Sequence, residues 1–282
     1  MLICGRDFTP TDLDWIRRQV TSVPGLNRAQ LSRMFCEWAE WRKPDGGLKD
    51  MSCRVALLRL YRAGVIPLPA PRKRRVVPKR IQHTLTGEPQ SPIEIGSGRI
   101  SLSIEPVDRR SSPLWNELID RYHYLGYARM GGAQMRFMVW AGQHLVALLG
   151  FSAAAWRVAP RDEFIGWSDD QRKANLHRVI DNSRFLILPW VKSFNLASQI
   201  LARTARMLPD RWEERYHYRP SLLETFVEKQ RFTGASYKAA NWVCVGQTQG
   251  RGKWDRQRAC DKPVKTIWLY PLERRFREVL CR

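Results

Sequence analysis

Apolar residues recur at helical spacing in three runs near the start of the chain, and each run ends at a helix-breaking residue or a turn. The pattern predicts three short helices, at residues 12–20, 28–41 and 49–63. Asn27 is a suitable N-cap for the second helix, and Gly64 ends the third. A short extended stretch follows at residues 65–69. Together these elements predict a winged-helix-like domain over residues 1–69, with a plain three-helix bundle as the alternative.

A second pattern begins after residue 111, where apolar runs of strand length alternate with helical ones. Two apolar runs, 134–141 and 145–154, flank the turn residues 142–144 and predict a β-hairpin. The other predicted strands lie at residues 184–191, 221–227, 242–246 and 266–270. The predicted helices lie at residues 113–122, 168–179, 195–207 and 235–240. This order predicts a mixed α/β domain over residues 111–282 and an α+β class for the chain.

The charge balance points to a polyanionic partner. Lys and Arg number 48 against 27 Asp and Glu, a formal net charge of +21, and nucleic acid is the commonest polyanion such a field attracts. No apolar run approaches the ~20 residues of a membrane-spanning helix. The N-terminus shows no signal-peptide pattern, so we expect a cytoplasmic protein.

The positive charge includes a Pro-rich basic segment that opens the predicted linker, residues 70–110. Its composition suits phosphate contact, or else a solvated spacer. A second basic segment near residue 250 combines glycines, cations and a tryptophan, which suits nucleic acid or a flexible loop. The candidate nucleic-acid-binding residues are Arg54, Arg59 and Arg62 of the third helix, Arg72, Lys73, Arg74, Arg75, Lys79 and Arg80 of the linker, and Arg251, Lys253, Trp254 and Arg256.

Several carboxylates are candidates for metal-dependent chemistry on DNA. Glu224 interrupts an apolar strand, where an unpaired charge is costly. With Asp162 or Asp169 it could hold Mg²⁺ for a nuclease or strand transferase. The alternative is a buried ion pair between Glu224 and an arginine, for which Arg161, Arg184 and Arg219 are candidates. No cofactor follows from the sequence with certainty, and the six cysteines show no metal-ligand spacing.

Two further residues could carry protons. His123 lies in the aromatic segment RYHYLGY, where a packed structural histidine is the alternative. Tyr237 precedes a predicted strand in GASYKAANW. A glycine-rich segment at residues 246–252 departs from the phosphate-loop spacing of nucleoside triphosphatases, which excludes that class.

Long segments of the chain resemble the DruA family of the Druantia anti-phage systems. They are RYHYLGY, PRDEFIGWS, NSRFLILPWVKSFNLAS, RPSLLETFVE and GASYKAANWVCVGQTQGRG, with PDGGLKDMSCRVALLRLYRAGVIPLP nearer the N-terminus. Related segments occur in proteins associated with transposases. The resemblance implies a prokaryotic defence or mobile-element protein that acts on DNA. Other Druantia or mobile-element proteins are candidate partners.

The element order after residue 113 also resembles the GNAT acyltransferase fold. That resemblance implies a general-acid role for Tyr237, which stands at the matching place. GNAT proteins hold the pyrophosphate of acetyl-CoA in a glycine-containing loop at a helix N-terminus. Here the corresponding loop, residues 191–197, has no glycine, which argues against acetyl-CoA.

The leading hypothesis is therefore a DNA-binding protein of a prokaryotic defence system. A metal-dependent DNA-processing enzyme and a GNAT-type acyltransferase are the alternatives.

Overall fold

The computed structural model describes residues 1–44, 46–71, 80–96, 98–250 and 262–282. The chain divides into two compact units, Met1–Lys79 and Arg80–Arg282. The described part of the first unit contains a two-stranded ribbon and three helices. These are β1 (Leu2–Ile3), β2 (Arg6–Asp7), α1 (Pro10–Ser22), α2 (Arg28–Trp38) and α3 (Asp50–Arg62).

Local capping sets where the first two helices start. Thr9 caps α1 through a capping box with Asp12, and Asn27 caps α2 through a capping box with Gln30. The helices pack around an apolar core that includes Leu31, Phe35, Leu57 and Leu60. Burying such side chains supplies most of the stability of short helices in water.

The three predicted helices are confirmed, whereas the winged-helix detail is not. Residues 63–71 form no strand or hairpin after α3, so the predicted wing is not found in the described part of this unit. The connection from α2 to α3 also differs from a short helix-turn-helix turn. It spans residues 39–49 and contains a single antiparallel bridge between Arg42 and Leu48.

The second unit alternates strands and helices. Its strands are β3 (Ile93–Ile95), β4 (Leu102–Pro106), β5 (Gln134–Ala141), β6 (His144–Ala153), β7 (Val179–Ile187), β8 (Val191–Ser193), β9 (Leu222–Glu228), β10 (Val243–Gln247) and β11 (Lys265–Pro271). Its α-helices are α4 (Ser112–Tyr122), α5 (Ala159–Ile165), α6 (Asp169–Asn175), α7 (Leu196–Tyr216), α8 (Ala235–Ala239) and α9 (Phe276–Leu280). Two 3₁₀ turns lie at Leu85–Gly87 and Leu176–Arg178.

Seven of the described strands form one sheet in the order β10-β11-β9-β7-β6-β5-β4. All neighbours are antiparallel except β7 and β9, which run parallel and pair only over Val179–Asp181 and Leu222–Glu224. The long helix α7 provides the crossover between them, as parallel strands require. Beyond the paired residues, β7 and β9 separate. The predicted α+β class is confirmed.

Residues 80–110, which the sequence analysis placed in the linker 70–110, belong to the second unit. There β4 forms the edge of the sheet against β5, and β3 pairs in parallel with β8. Hydrogen bonds connect the 3₁₀ turn before β3 to α4. Thr84, the N-cap of the turn, donates its backbone N–H and its hydroxyl to the carboxylate of Glu117 in α4, at 2.6 and 2.8 Å. None of the described helices is long and apolar enough to cross a membrane.

Candidate functional site

A pocket of about 710 Å³ opens where β7 and β9 separate. The diverging part of β7 forms one wall, β9 and the following segment into α8 form another, and the segment after α4 closes a third side. A site at the point where two parallel strands part is typical of ligand-binding sheets, because backbone and side chains of both strands face a shared space.

Two carboxyl groups lie side by side where the strands part. Asp181 of β7 and Glu224 of β9 are paired positions of the parallel ladder. Glu224 is fully buried, accepts a hydrogen bond from the Ala155 amide at 2.9 Å, and forms a 2.9 Å ion pair with Arg161, itself fully buried. Burial raises the pKa of Glu224, and the Arg161 charge opposes that rise.

Arg161 also pairs with Asp162. Two of the predicted metal-binding carboxylates, Asp162 and Glu224, are therefore paired with an arginine. Arg161 donates to Asp162 at 2.8 and 2.9 Å, and Asp162 also accepts from the Trp167 indole at 3.1 Å. Asp169 is exposed and pairs with Arg172 at 2.7 Å. Among the described residues no cluster of three or more His, Cys, Asp and Glu could hold a metal ion. The structure thus shows the buried ion pair between Glu224 and Arg161 that the sequence analysis gave as the alternative to a metal site.

Asp181 lacks the ionic partner that Glu224 has. Its carboxyl group lines the pocket, and its buried Oδ1 finds no hydrogen-bond partner among the described residues. Burial, and then the neighbouring Glu224, raise its pKa well above the usual value, against the smaller influence of Arg184, Lys265 and Arg161. Of the two adjacent carboxyls, Asp181 is therefore the one that binds a proton first as the pH falls.

Tyr237 lies at the buried end of the same pocket. Its hydroxyl donates to the Asn182 side-chain carbonyl at 3.0 Å, and the Thr225 hydroxyl lies 3.5 Å away. Burial raises the pKa of Tyr237, so the phenol keeps its proton at neutral pH. The predicted proton carrier Tyr237 is thus placed in the pocket, and its general-acid role stays a prediction.

His123 lies at the pocket wall formed by the segment after α4. Its Nδ1 accepts from the Leu125 amide at 3.2 Å, and its ring stacks on Tyr124 with centroids 4.9 Å apart. Burial, together with the positive charges of Arg184 and Lys265, lowers its pKa to about 4. The imidazole is therefore neutral at pH 7, and Nε2 carries its hydrogen.

Positive charge and aromatic rings line the rest of the pocket. The cations among the described lining residues are Arg184, Arg231 and Lys265, and the aromatic rings include Tyr124, Phe185 and Phe232. The sequence analysis missed Asp181 and Lys265, and it named Arg184 only as a candidate partner of Glu224. The signal was present for Asp181, which follows two apolar residues much as Glu224 does, but the strand was predicted to begin only at Arg184.

The predicted DNA-binding residues of the third helix lie on α3 as expected. Arg59 and Arg62 are exposed, whereas Arg54 is half-buried and pairs with Asp50 at 3.1 Å. Met51 and Val55 are also exposed, at 60% and 45%. Positions 51, 55, 59 and 62 share one face of a helix, so α3 presents a mixed apolar and cationic stripe to solvent.

Most of the other predicted contact residues lie outside the described residues. They are Arg72, Lys73, Arg74, Arg75 and Lys79 of the basic segment, and Arg251, Lys253, Trp254 and Arg256. Arg80, the first residue described after the basic segment, is exposed.

The two units define a protein that combines a three-helix unit with a mixed-sheet domain whose pocket lies between parting parallel strands. The model of the family described as Druantia protein DruA matches residues 59–261, which is more than half of the chain. The chain belongs to the DruA family. This membership supports a role in a defence system and confirms the resemblance noted in the sequence.

The second unit is similar in chain path to solved acetyltransferases. The ribosomal-protein-S18-alanine N-acetyltransferase of Escherichia coli matches at 12% identity and a TM-score of 0.38, over 61% of this chain and 95% of that one. A probable acetyltransferase of Staphylococcus epidermidis matches at 8% and 0.39, over 61% and 99%. An acetyltransferase of Thermus thermophilus matches at 16% and 0.36, over 61% and 97%.

At such identities and TM-scores the likeness extends to neither site residues nor activity. Comparison with curated proteins found no match.

Proposed function

We propose that this DruA-family protein is a DNA-binding component of a prokaryotic anti-phage defence system, and that α3 carries the contact. The observation behind the proposal is the exposed stripe on α3. Arg59 and Arg62 form no ion pair within the described part of the chain, and Met51 and Val55 stand beside them in solvent.

The apolar part of this stripe would gain free energy if a partner covered it. A buried position would suit Met51 and Val55 better, since apolar side chains gain by leaving water. Arginine carries its charge at every physiological pH and binds phosphate through two donors at once. A helix that offers both kinds of side chain can contact the phosphates and the base edges of one groove.

The net charge of +21 fits the same partner. A positive field attracts the negatively charged DNA. Binding then depends on salt, because each neutralised phosphate releases counterions. The basic segment with Arg72, Lys73, Arg74 and Arg75 adds a second predicted contact along the backbone. DNA is the proposed partner, alongside other proteins of the defence system.

The test is a fluorescence-anisotropy titration of labelled single- and double-stranded DNA at several salt concentrations. Replacing both Arg59 and Arg62 with Gln removes two potential phosphate contacts. We expect weaker binding, and a slope of log K against log salt that is shallower by about 1.8, at about 0.9 per contact. The quadruple replacement of Arg72, Lys73, Arg74 and Arg75 by Ala should flatten the slope further.

Arg33 offers a charge-matched control, because it is exposed on α2 of the same unit. Two variants, Arg33→Gln and Arg59→Gln, change the net charge equally, so only the second should weaken binding beyond the general effect of charge. Equal losses in both variants would mean that the protein attracts DNA by its overall field and that α3 makes no specific contact. The DNA label is checked for integrity after incubation with Mg²⁺, and cleavage would favour a DNA-processing enzyme instead.

A further inference from the structure

The pocket of the second unit has the size and the charge of a ligand site. Its volume of about 710 Å³ falls within the range of pockets that enclose small molecules. Arg184, Arg231 and Lys265 contribute positive charge to its described lining, and the one carboxyl group in that lining belongs to Asp181. A pocket with this balance favours an anionic ligand.

Two opposing buried atoms in this lining lack hydrogen-bond partners among the described residues. They are Nε of Arg184, which can only donate, and Oδ1 of Asp181. Arg184 directs one terminal nitrogen to its neighbour's carbonyl, the oxygen of Ser183, at 2.7 Å. Buried polar atoms in folded proteins nearly always have partners, and leaving one without costs free energy. Both residues line the pocket, so its wall carries polar groups that the described chain leaves incompletely paired.

The mouth of the pocket is lined by rings that can hold a planar group. Phe232 is 50% exposed and lies 5.4 Å from the Tyr124 ring, centroid to centroid. Arg231 stands over the same tyrosine ring at 5.5 Å. The His123 ring stacks on the Tyr124 ring. Its Nε2–H group has no acceptor among the described contacts. Stacking on exposed aromatic rings stabilises nucleobases without selecting their sequence.

We propose that this pocket binds a single nucleotide, with its phosphate at Arg184 and Lys265 and its base against the exposed ring of Phe232. The phosphate meets fixed positive charge. The His123 imidazole, which is neutral at pH 7, and the Asp181 carboxyl group supply hydrogen-bonding groups for the polar edge of the base. The site is separate from α3 and holds whether or not α3 contacts DNA.

A nucleotide could arrive free or as part of a strand. Calorimetric titration of the full chain uses dTMP and AMP as free nucleotides, thymidine as base and sugar without phosphate, inorganic phosphate alone, and a 5′-phosphorylated oligothymidylate. We expect saturable binding of the nucleotides, at least tenfold tighter than that of thymidine or phosphate. If the oligonucleotide displaces dTMP and binds tighter, the source is a strand; if it does not compete, the source is the free nucleotide.

Three variants locate the ligand. Lys265→Gln and Arg231→Gln each remove a cation from the lining and should each raise the Kd for dTMP, by tenfold or more for Lys265. Arg231 is 58% exposed and pairs with the buried Glu228 at 2.9 Å. Thermal unfolding of each variant shows whether a loss of dTMP binding reflects the lost cation or a disturbed fold. Lys192→Gln is the control, since Lys192 is an exposed cation outside the lining.

The proposal is overturned if none of these nucleotides binds saturably, or if thymidine binds as tightly as dTMP. It is equally overturned if the Lys265 and Arg231 variants bind dTMP as the control does. Coenzyme A is included as a competitor, and saturable binding of coenzyme A without any binding of mononucleotides would also refute it.

Discussion

Replacing Asp181 with Asn should stabilise the protein at neutral pH, although the position faces a polar pocket. Asp181 is flanked by Glu224 on β9, Arg184 on its own strand, Lys265 on β11 and Arg161 on α5, and burial with Glu224 keeps its pKa raised. In the unfolded chain an aspartate titrates near pH ~3.9. The folded state therefore binds a proton that the unfolded state has already released, over the whole interval between the two pKa values.

The direction in which stability changes with pH follows from that proton. Because the folded state binds more protons in this interval, the free energy of unfolding falls as pH rises through it, by about 1.4 kcal/mol per pH unit. Below pH ~3.9 the carboxyl is protonated in both states and the penalty is absent. Asn has the shape of the neutral acid and does not titrate. The variant should match the parent near pH 4 and exceed it by a margin that grows toward pH 7.

The assay is guanidinium unfolding of parent and variant at pH 4, 5, 6 and 7, followed by tryptophan fluorescence. The first unit is identical in both proteins, so the difference in free energy reports the second unit. Asp210→Asn is the control, because Asp210 is exposed and pairs with Arg219 at the surface, and it should give no stabilisation at any pH. A difference between the Asp181 variant and its parent that does not change with pH would show that Asp181 is ionised, and the assignment of the proton would be wrong.

Three further substitutions test individual contacts by the same unfolding measurement. Glu224→Ala removes one carboxylate partner of the buried Arg161 charge and should lower the free energy of unfolding by about 3–5 kcal/mol. An unchanged free energy of unfolding would contradict the ion pair. Gly234→Ala should cost about 1–3 kcal/mol, because φ is +78° there and a Cβ would stand 2.5 Å from the Trp268 ring. Thr9→Ala should cost about 1 kcal/mol through loss of the α1 cap, while Thr9→Ser should cost far less.

The sequence patterns predicted elements whose signals are local. The cap at Asn27 and the glycine turn between β5 and β6 lie within a few residues of the elements they delimit, and both boundaries agree with the structure to within a few residues. The alternation of Ile100, Leu102 and Ile104 is an equally local signal for β4, but the surrounding Pro, Gly and Ser residues outweighed it.

The longer-range errors arise where tertiary contacts override local preference. The helix predicted to run to residue 179 ends at Asn175, whose side chain donates to the carbonyl groups of Leu280 and Arg282 near the C-terminus. The helix predicted to end at residue 207 continues as α7 through Pro209, because Leu208 and Trp212 are fully buried on its inner face. Burial of that size exceeds the cost of about 3 kcal/mol for an internal proline.

Prediction of the candidate site depended on one such boundary, the start of the strand that carries Asp181. Glu224 stood out in the sequence because the strand around it was predicted correctly, and its arginine alternative, with Arg161 among the candidates, is the arrangement observed. Asp181 carries the same signal, but the predicted strand began only at Arg184, five residues after the start of β7 at Val179, which placed Asp181 outside it. Only the pairing of β7 with β9 brings the two carboxyls together, and a contact between residues 43 positions apart leaves no trace in local pattern.

The contrast between these two carboxyls explains how a stable core and an open site share one place in the sheet. Arg161 reaches the Glu224 side from α5 and neutralises it, with the Ala155 amide and carbonyl completing the arrangement. Among the described residues no cation is hydrogen-bonded to Asp181, and there the strands part. The carboxylate of Glu224 is neutralised by a charge of the protein itself and belongs to the core. The carboxyl group of Asp181 keeps a buried oxygen without a partner among the described residues, at the point where the pocket begins.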